Sequence, residues 1–199
     1  MRTTSQYADP AATQTYRFTR LQRLMVAHGV LILFMTLVAG LGLWMSLVGG
    51  FEFIPGSVIE FQIPGTPEGW ARAHRGTPLN AFMVIAVALI LPGLGFSARA
   101  QSLLGWTIVA TGWSNTVFYF FSNFAQNRGL TFGANHFGPG SIESFIALAP
   151  AYFFGVLSMV GLIVIARKAF RDEEPSQTAP GAMPVTASRT DARMHESVG

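Results

Sequence analysis

The chain of 199 residues has no cysteine. That absence excludes disulfides, iron-sulfur clusters, thiolate-ligated haem and the covalent haem attachment that needs a Cys-x-x-Cys-His run. Any bound metal must draw on His, Met, Tyr or carboxylate. Charge is scarce as well: 12% of the residues are charged against 50% hydrophobic, and the formal net charge is +3. A water-soluble fold of this composition would have too little polar surface to cover itself, so an integral membrane protein is expected, with room for one bundle and no second domain. The arginines sit near the ends of apolar runs, where they meet lipid headgroups, and nucleic acid is not an expected partner. Between residues 21 and 170 the only carboxylates are Glu52, Glu60, Glu68 and Glu143. None falls in the middle of an apolar run, which argues against a proton pump or proton-coupled transporter.

Four apolar runs are present, at about 26–48, 77–96, 101–123 and 142–166, each near the roughly 20 residues a helix needs to cross a bilayer. They predict an all-α integral membrane four-helix bundle. Four spans put both termini on one side, where Arg17, Arg20, Arg23, Arg99, Arg167, Lys168 and Arg171 gather, and the positive-inside rule makes that side cytoplasmic. The opposite side carries Arg72, Arg75 and Arg128. Spans two and three are joined by a few residues and are expected to be antiparallel neighbours. The two long loops, at 49–76 and 124–141, open on the non-cytoplasmic face. Their Pro55-Gly56, Pro64-Gly65 and Gly138-Pro139-Gly140 turns predict folded connections on which function is placed.

The domain division that follows is a polar N-terminal extension at 1–20, a four-helix transmembrane domain at 21–170 and a disordered C-terminal tail at 171–199. The extension has no compact apolar stretch or small-residue cleavage site and does not read as a signal peptide. The tail mixes Asp, Glu, Ser, Thr, Pro and Ala without apolar periodicity. No repeat of fixed period is present.

Within this apolar background the segment 67–80 stands out, because it puts His74 and polar partners at the mouth of the second span. A polar cluster flanked by hydrocarbon calls for a cofactor, a substrate or another partner. Thr77 and Pro78 have the form of an N-cap and first helical residue, which puts His74 before the helix and Asn80 in its first turn; one longer helix kinked at Pro78 fits the pattern equally. Span three runs outward, so Tyr119 reaches the same layer. Each residue also has a structural reading. His74 can be an interfacial histidine bonded to backbone or water. Tyr119 can belong to an aromatic belt with Trp113, Phe118, Phe120, Phe121 and Phe124. Asn80, Asn115 and Asn123 can be interhelical hydrogen-bond partners. His28 lies in the opposite layer and reads as structural, His136 is a fallback ligand, and His195 belongs to the tail.

Several runs carry a family resemblance. Gly42-Leu43-Trp44-Met45, Val48-Gly49-Gly50-Phe51-Glu52, Ile59-Glu60-Phe61, the run from Pro67 to His74 followed by Leu79-Asn80, Gly112-Trp113-Ser114-Asn115, and Asn127-Arg128-Gly129-Leu130-Thr131-Phe132-Gly133 resemble bacterial styrene oxide isomerases over about residues 21–170. The resemblance implies a four-helix protein of the bacterial inner (cytoplasmic) membrane, assembled as a homotrimer with haem b between neighbouring subunits. It implies isomerisation of styrene oxide and related aryl epoxides to aldehydes by a Meinwald rearrangement, with ferric haem b as Lewis acid. The family's axial histidine falls on His74 and its active-site asparagine and tyrosine on Asn80 and Tyr119. Functional coupling to a styrene monooxygenase is implied as well. The competing reading from another class is a small membrane haem protein acting as an electron carrier.

Overall fold

The computed structural model describes residues 17–171. Most of the expected extension and tail, and His195, lie outside the described residues. Helix α1 (Arg20–Val48) starts on a reciprocal capping box: the Thr19 hydroxyl accepts from the Gln22 amide at 3.2 Å and the Gln22 side chain accepts from the Thr19 amide at 2.9 Å. It ends where Gly49 turns into the left-handed region. Strands β1 (Gly50–Ile54) and β2 (Ser57–Glu60) then form an antiparallel hairpin pairing Gly50 with Glu60 and Phe51 with Ile59. Pro55 and Gly56 make its turn, with Gly56 at φ 84° and its amide donating to the Glu52 carboxylate at 2.6 Å. The Pro-Gly signal for a folded connection is thus realised as a hairpin within a mostly helical chain.

Helix α2 (Pro67–Ile90) runs into a single 3-10 turn at Leu91–Leu94, after which come α3 (Ala98–Ser122) and α4 (Ile142–Ala169). The N-cap reading at Thr77-Pro78 is corrected here. The cap is Thr66, whose hydroxyl accepts from the Gly69 amide at 3.1 Å, with Pro67 at the first helical position; Pro78 lies inside the helix. The long loop therefore ends at residue 66 and His74 is helical. Both Thr-Pro pairs carry the same local signal. The first begins the helix because the Asn123 side chain of α3 accepts from the Thr66 amide at 2.9 Å and anchors that end.

Helix α1 packs on α2 and α3, α2 packs on α3, and α4 packs on α3 and the 3-10 turn but on neither α1 nor α2. Three helices thus form a triangle with α4 laid against its α3 edge, a departure from a ring of four. The aliphatic core lies toward the end remote from the hairpin: Met25 and Ile32 of α1, Ala81, Val84, Val87 and Ala88 of α2, Leu91, and Leu104, Ile108 and Val109 of α3. At that end the Gln22 side-chain amide donates to the Ala88 carbonyl at 3.1 Å. Pro92 follows Ala88 by four residues and offers no N–H, so Gln22 supplies the bond the helix cannot.

Helix α1, α2 with its 3-10 extension, and α4 are 29, 28 and 28 residues long and apolar enough to cross a membrane, against the roughly 20 needed. Their outer faces expose Leu37, Phe82, Tyr152, Phe153 and Met159 among many large apolar residues, a surface suited to lipid. Helix α3 has no stretch as apolar as theirs and packs on each of the other three. Its hydroxyls are satisfied inside the helix: Thr107 donates to Leu103, Thr111 to Thr107, Ser114 to Ala110 and Thr116 to Gly112 at 2.7–2.8 Å.

Candidate active site on the second helix

The hairpin end of α2 is built from large side chains seated on glycines. His74 faces α1, where its Nδ1 lies 3.0 Å from the Thr36 carbonyl. A carbonyl only accepts, so Nδ1 carries the proton and Nε2 keeps its lone pair. No hydrogen bond engages Nε2 among the described residues. The imidazole lies against Gly40 so closely that a β-carbon there would come within 2.9 Å of Cε1 and Nδ1. One turn earlier, Trp70 lies against Gly42 in the same way, at 2.6 Å, and its indole N–H donates to the Pro64 carbonyl at 3.1 Å.

The neighbouring face of α2 meets α3 by the reverse device. There the glycines belong to α2: a methyl at Gly76 would overlap the Tyr119 ring and one at Gly69 would overlap Asn123. One turn below Gly76, Asn80 is buried, its side-chain amide donating to the Gly76 carbonyl at 3.1 Å and its Oδ1 accepting from Asn115 at 2.9 Å. Asn115 and Tyr119 are one turn apart on α3, and Gly76 and Asn80 one turn apart on α2, so the antiparallel helices match phenol to glycine and amide to amide. Within one chain Asn80 and Tyr119 lie on the same α2–α3 seam, Asn80 at Asn115 and Tyr119 one turn away at Gly76. His74 does not join them: six residues along a helix rotate its direction from that of Asn80 by about 120°, and it points to α1. The expectation that the layer alone gathers all three into one cluster overlooked this rotation.

Thr77 lies between the two faces, fully buried, with no partner for its hydroxyl. Pro78 also lacks the N–H that would bond the His74 carbonyl within the helix. His28 accepts from the Trp113 indole at 3.1 Å and packs edge-on against Trp106 at 5.6 Å, a structural setting as expected. His136 stacks on Phe137 at 3.8 Å in the loop before α4. No group of three or more His, Asp or Glu is placed to hold a metal among the described residues. A metal held here would have one protein nitrogen, with its remaining ligands supplied by a macrocycle or substrate, and the free Nε2 of His74 fits that requirement.

Sequence reading did not single out Gly40, Gly76 or the Thr36 carbonyl as site parts. The signal was present, because glycine in a helix interior costs about 1 kcal/mol relative to alanine and so asks for a packing reason.

A mostly helical chain with three helices long and apolar enough to cross a membrane has the form of a helical membrane protein. Residues 21–170 match the family model described as styrene oxide isomerase. A styrene-oxide isomerase of Pseudomonas fluorescens is 59% identical over 161 residues, covering 81% of this chain and 95% of the relative. The chain belongs to the styrene oxide isomerase family.

Proposed function

We propose that this isomerase converts styrene oxide and related aryl epoxides to aldehydes, giving phenylacetaldehyde from styrene oxide, by an intramolecular, redox-neutral Meinwald rearrangement. Family membership supports the substrate and reaction. The observation that carries the site is the hydrogen bond from His74 Nδ1 to the Thr36 carbonyl at 3.0 Å, which leaves Nε2 as the nitrogen that would hold haem b. Ferric haem held there would supply a Lewis acid for the epoxide oxygen with no change of oxidation state.

The residues of the chain do the rest. Tyr119 and Asn80 orient the epoxide through their polar ends, with Asn80 held by Asn115 and the Gly76 carbonyl. As the benzylic C–O bond opens, positive charge develops on the carbon beside the ring, and a 1,2-hydride shift to that carbon forms the aldehyde. Apolar walls keep out water, which would trap the cation as a diol, and keep the opening epoxide in one geometry. Aromatic faces nearby favour the cation by on the order of 1 kcal/mol.

The protein is a homotrimer of the bacterial inner membrane in this reading, with four spans, both termini cytoplasmic and haem b between subunits. The divergence of His74 from Asn80 and Tyr119 around α2 supports a site completed by a neighbouring copy. Functional coupling to a styrene monooxygenase belongs to the same reading. The test is to incubate membranes containing the protein with styrene oxide and no added cofactor, and to quantify phenylacetaldehyde against empty membranes and the His74→Ala variant. Rapid aldehyde formation that depends on His74 supports the proposal; none from haem-loaded protein removes styrene oxide as the substrate.

A further inference from the structure

The β1–β2 hairpin has little cover from the rest of the chain. Among the described elements β2 packs on β1 alone, and β1 packs on β2 and on α1. A two-stranded hairpin is marginal in water unless a further surface supports it. Its exposed side chains are nevertheless largely apolar: Phe53 is 79% exposed, Ile54 64% and Ile59 62%.

The strand register sorts these side chains between two faces. Phe51 stands directly opposite Ile59 and shares its face, and the Phe53 ring stacks beside that of Phe51 with centroids 6.5 Å apart. The pairs Glu52–Val58 and Gly50–Glu60 put Glu52, Val58 and Glu60 on the other face. One face is thus aromatic and aliphatic, and both carboxylates of the hairpin lie on the opposite one.

The apolar face continues into α1. Gly49 turns the chain through the left-handed region, so that Phe51 comes back beside Trp44, one turn before the end of the helix, and the two rings meet edge-on at 5.1 Å. Trp44 belongs to a stripe of exposed residues, Leu37, Leu41, Trp44 and Val48. Their spacing of four, three and four residues sets them on one side of α1. That helix is long and apolar enough to cross a membrane, and a tryptophan near the end of such a span suits the headgroup level, with its ring toward the acyl chains.

We infer that the hairpin is an interfacial membrane anchor, with Phe51, Phe53 and Ile59 set among acyl chains beside the α1 stripe and with Glu52 and Glu60 turned to water. Its partner is the lipid surface. The contact is apolar: residues 49–66 contain no Lys or Arg to attract anionic headgroups. Burial in lipid removes the aromatic and aliphatic surface from water while the carboxylates stay hydrated, the division that holds an amphipathic element in the plane of a bilayer. The inference depends on α1 spanning the membrane and is independent of haem and of substrate.

The chain has no cysteine, so one introduced thiol carries one nitroxide label. Full-length protein in nanodiscs of phosphatidylcholine alone is labelled at Phe53→Cys or Ile59→Cys on the apolar face, at Val58→Cys or Glu60→Cys on the other, and at Leu37→Cys as the lipid reference on α1. All these positions are exposed, so the substitutions leave the packing of the helices intact. Power-saturation electron paramagnetic resonance then compares collisions with oxygen, which concentrates in lipid, and with a water-soluble nickel chelate. Labels at 53 and 59 should match the reference at 37, with oxygen collisions dominant, whereas labels at 58 and 60 should collide mainly with nickel, at 58 in spite of the native valine. Dominant nickel collisions at 53 and 59 would put that face in water and overturn the inference. Protection of both labels from oxygen and nickel alike would also overturn it, because protein, such as a second copy of the chain, would then cover the face.

Discussion

The two halves of α2 meet the same neighbours by different means. From Trp70 to Asn80 the seams join a large polar or aromatic side chain to a glycine: His74 on Gly40, Trp70 on Gly42, Tyr119 on Gly76. From Ala81 to Leu91 they join aliphatic side chains, Val84, Val87 and Leu91 against Met25, Ile32, Leu104 and Ile108, with Gly29 seating Ile85 and Gly112 seating Val84. No hydrogen bond orients the aliphatic side chains, so swaps that keep their volume are tolerated there. The polar half has less latitude. Each glycine admits one ring in one orientation, and hydrogen bonds to Thr36, Gly76 and Asn115 then fix the polar ends. The aliphatic core occupies one half, and the proposed chemistry falls in the other.

The sharpest way to break this contrast is His74→Ala, which should abolish the Soret band of purified protein and reduce aldehyde formation to that of empty membranes. A retained haem spectrum would defeat the ligand assignment. Next is Gly40→Ala. Its new methyl falls within 2.9 Å of the imidazole, and a displacement of this size at a catalytic ligand costs on the order of a hundredfold in rate; the absorption and electron paramagnetic resonance spectra should change with it. Gly76→Ala pushes the Tyr119 ring away and should lower kcat to a comparable degree, about a hundredfold, while the haem spectrum stays as in wild type. Equal spectral change in the two variants would mean that the seams on α1 and α3 do not have separate roles.

Asn115→Ala removes one hydrogen bond from Asn80 and should reduce kcat about tenfold, the equivalent of about 1.4 kcal/mol, with haem content unchanged. On the other side of the comparison, Ile108→Ala opens a cavity in the aliphatic half. It should destabilise the protein by about 2 kcal/mol or more, read as a lower melting temperature, with turnover per bound haem within about twofold of wild type. Loss of turnover there as large as that of Gly76→Ala would erase the distinction between the halves.

Much of this was legible before any coordinates. The apolar runs at 26–48, 101–123 and 142–166 foretold α1, α3 and α4 to within a few residues, except that α1 begins earlier, at Arg20. Length and hydropathy decide such helices locally. Residue types alone left the start of α2 between two readings, since 67–76 is polar and Thr77-Pro78 imitates a helix start; the longer helix with Pro78 inside it is the one formed. Its polar residues are compatible with a packed helix because glycines on α1 make space for two of them and Asn123 secures the first turn. The packing of α2 on α3, which puts Asn80 and Tyr119 on one seam, followed from the short connection between those helices, whereas the turning of His74 toward α1 did not.

The sequence by itself determined that this chain is mostly helical, that at least three helices are long and apolar enough for a bilayer, and that no metal can rest on thiolate. Composition and run length are sufficient for these, because they follow from the solvent preference of the backbone and side chains. Only the tertiary structure decided which nitrogen of His74 is free and which glycines seat which rings. Those outcomes depend on how α1, α2 and α3 are rotated about their own axes, and rotation is set by the packing of all three helices at once.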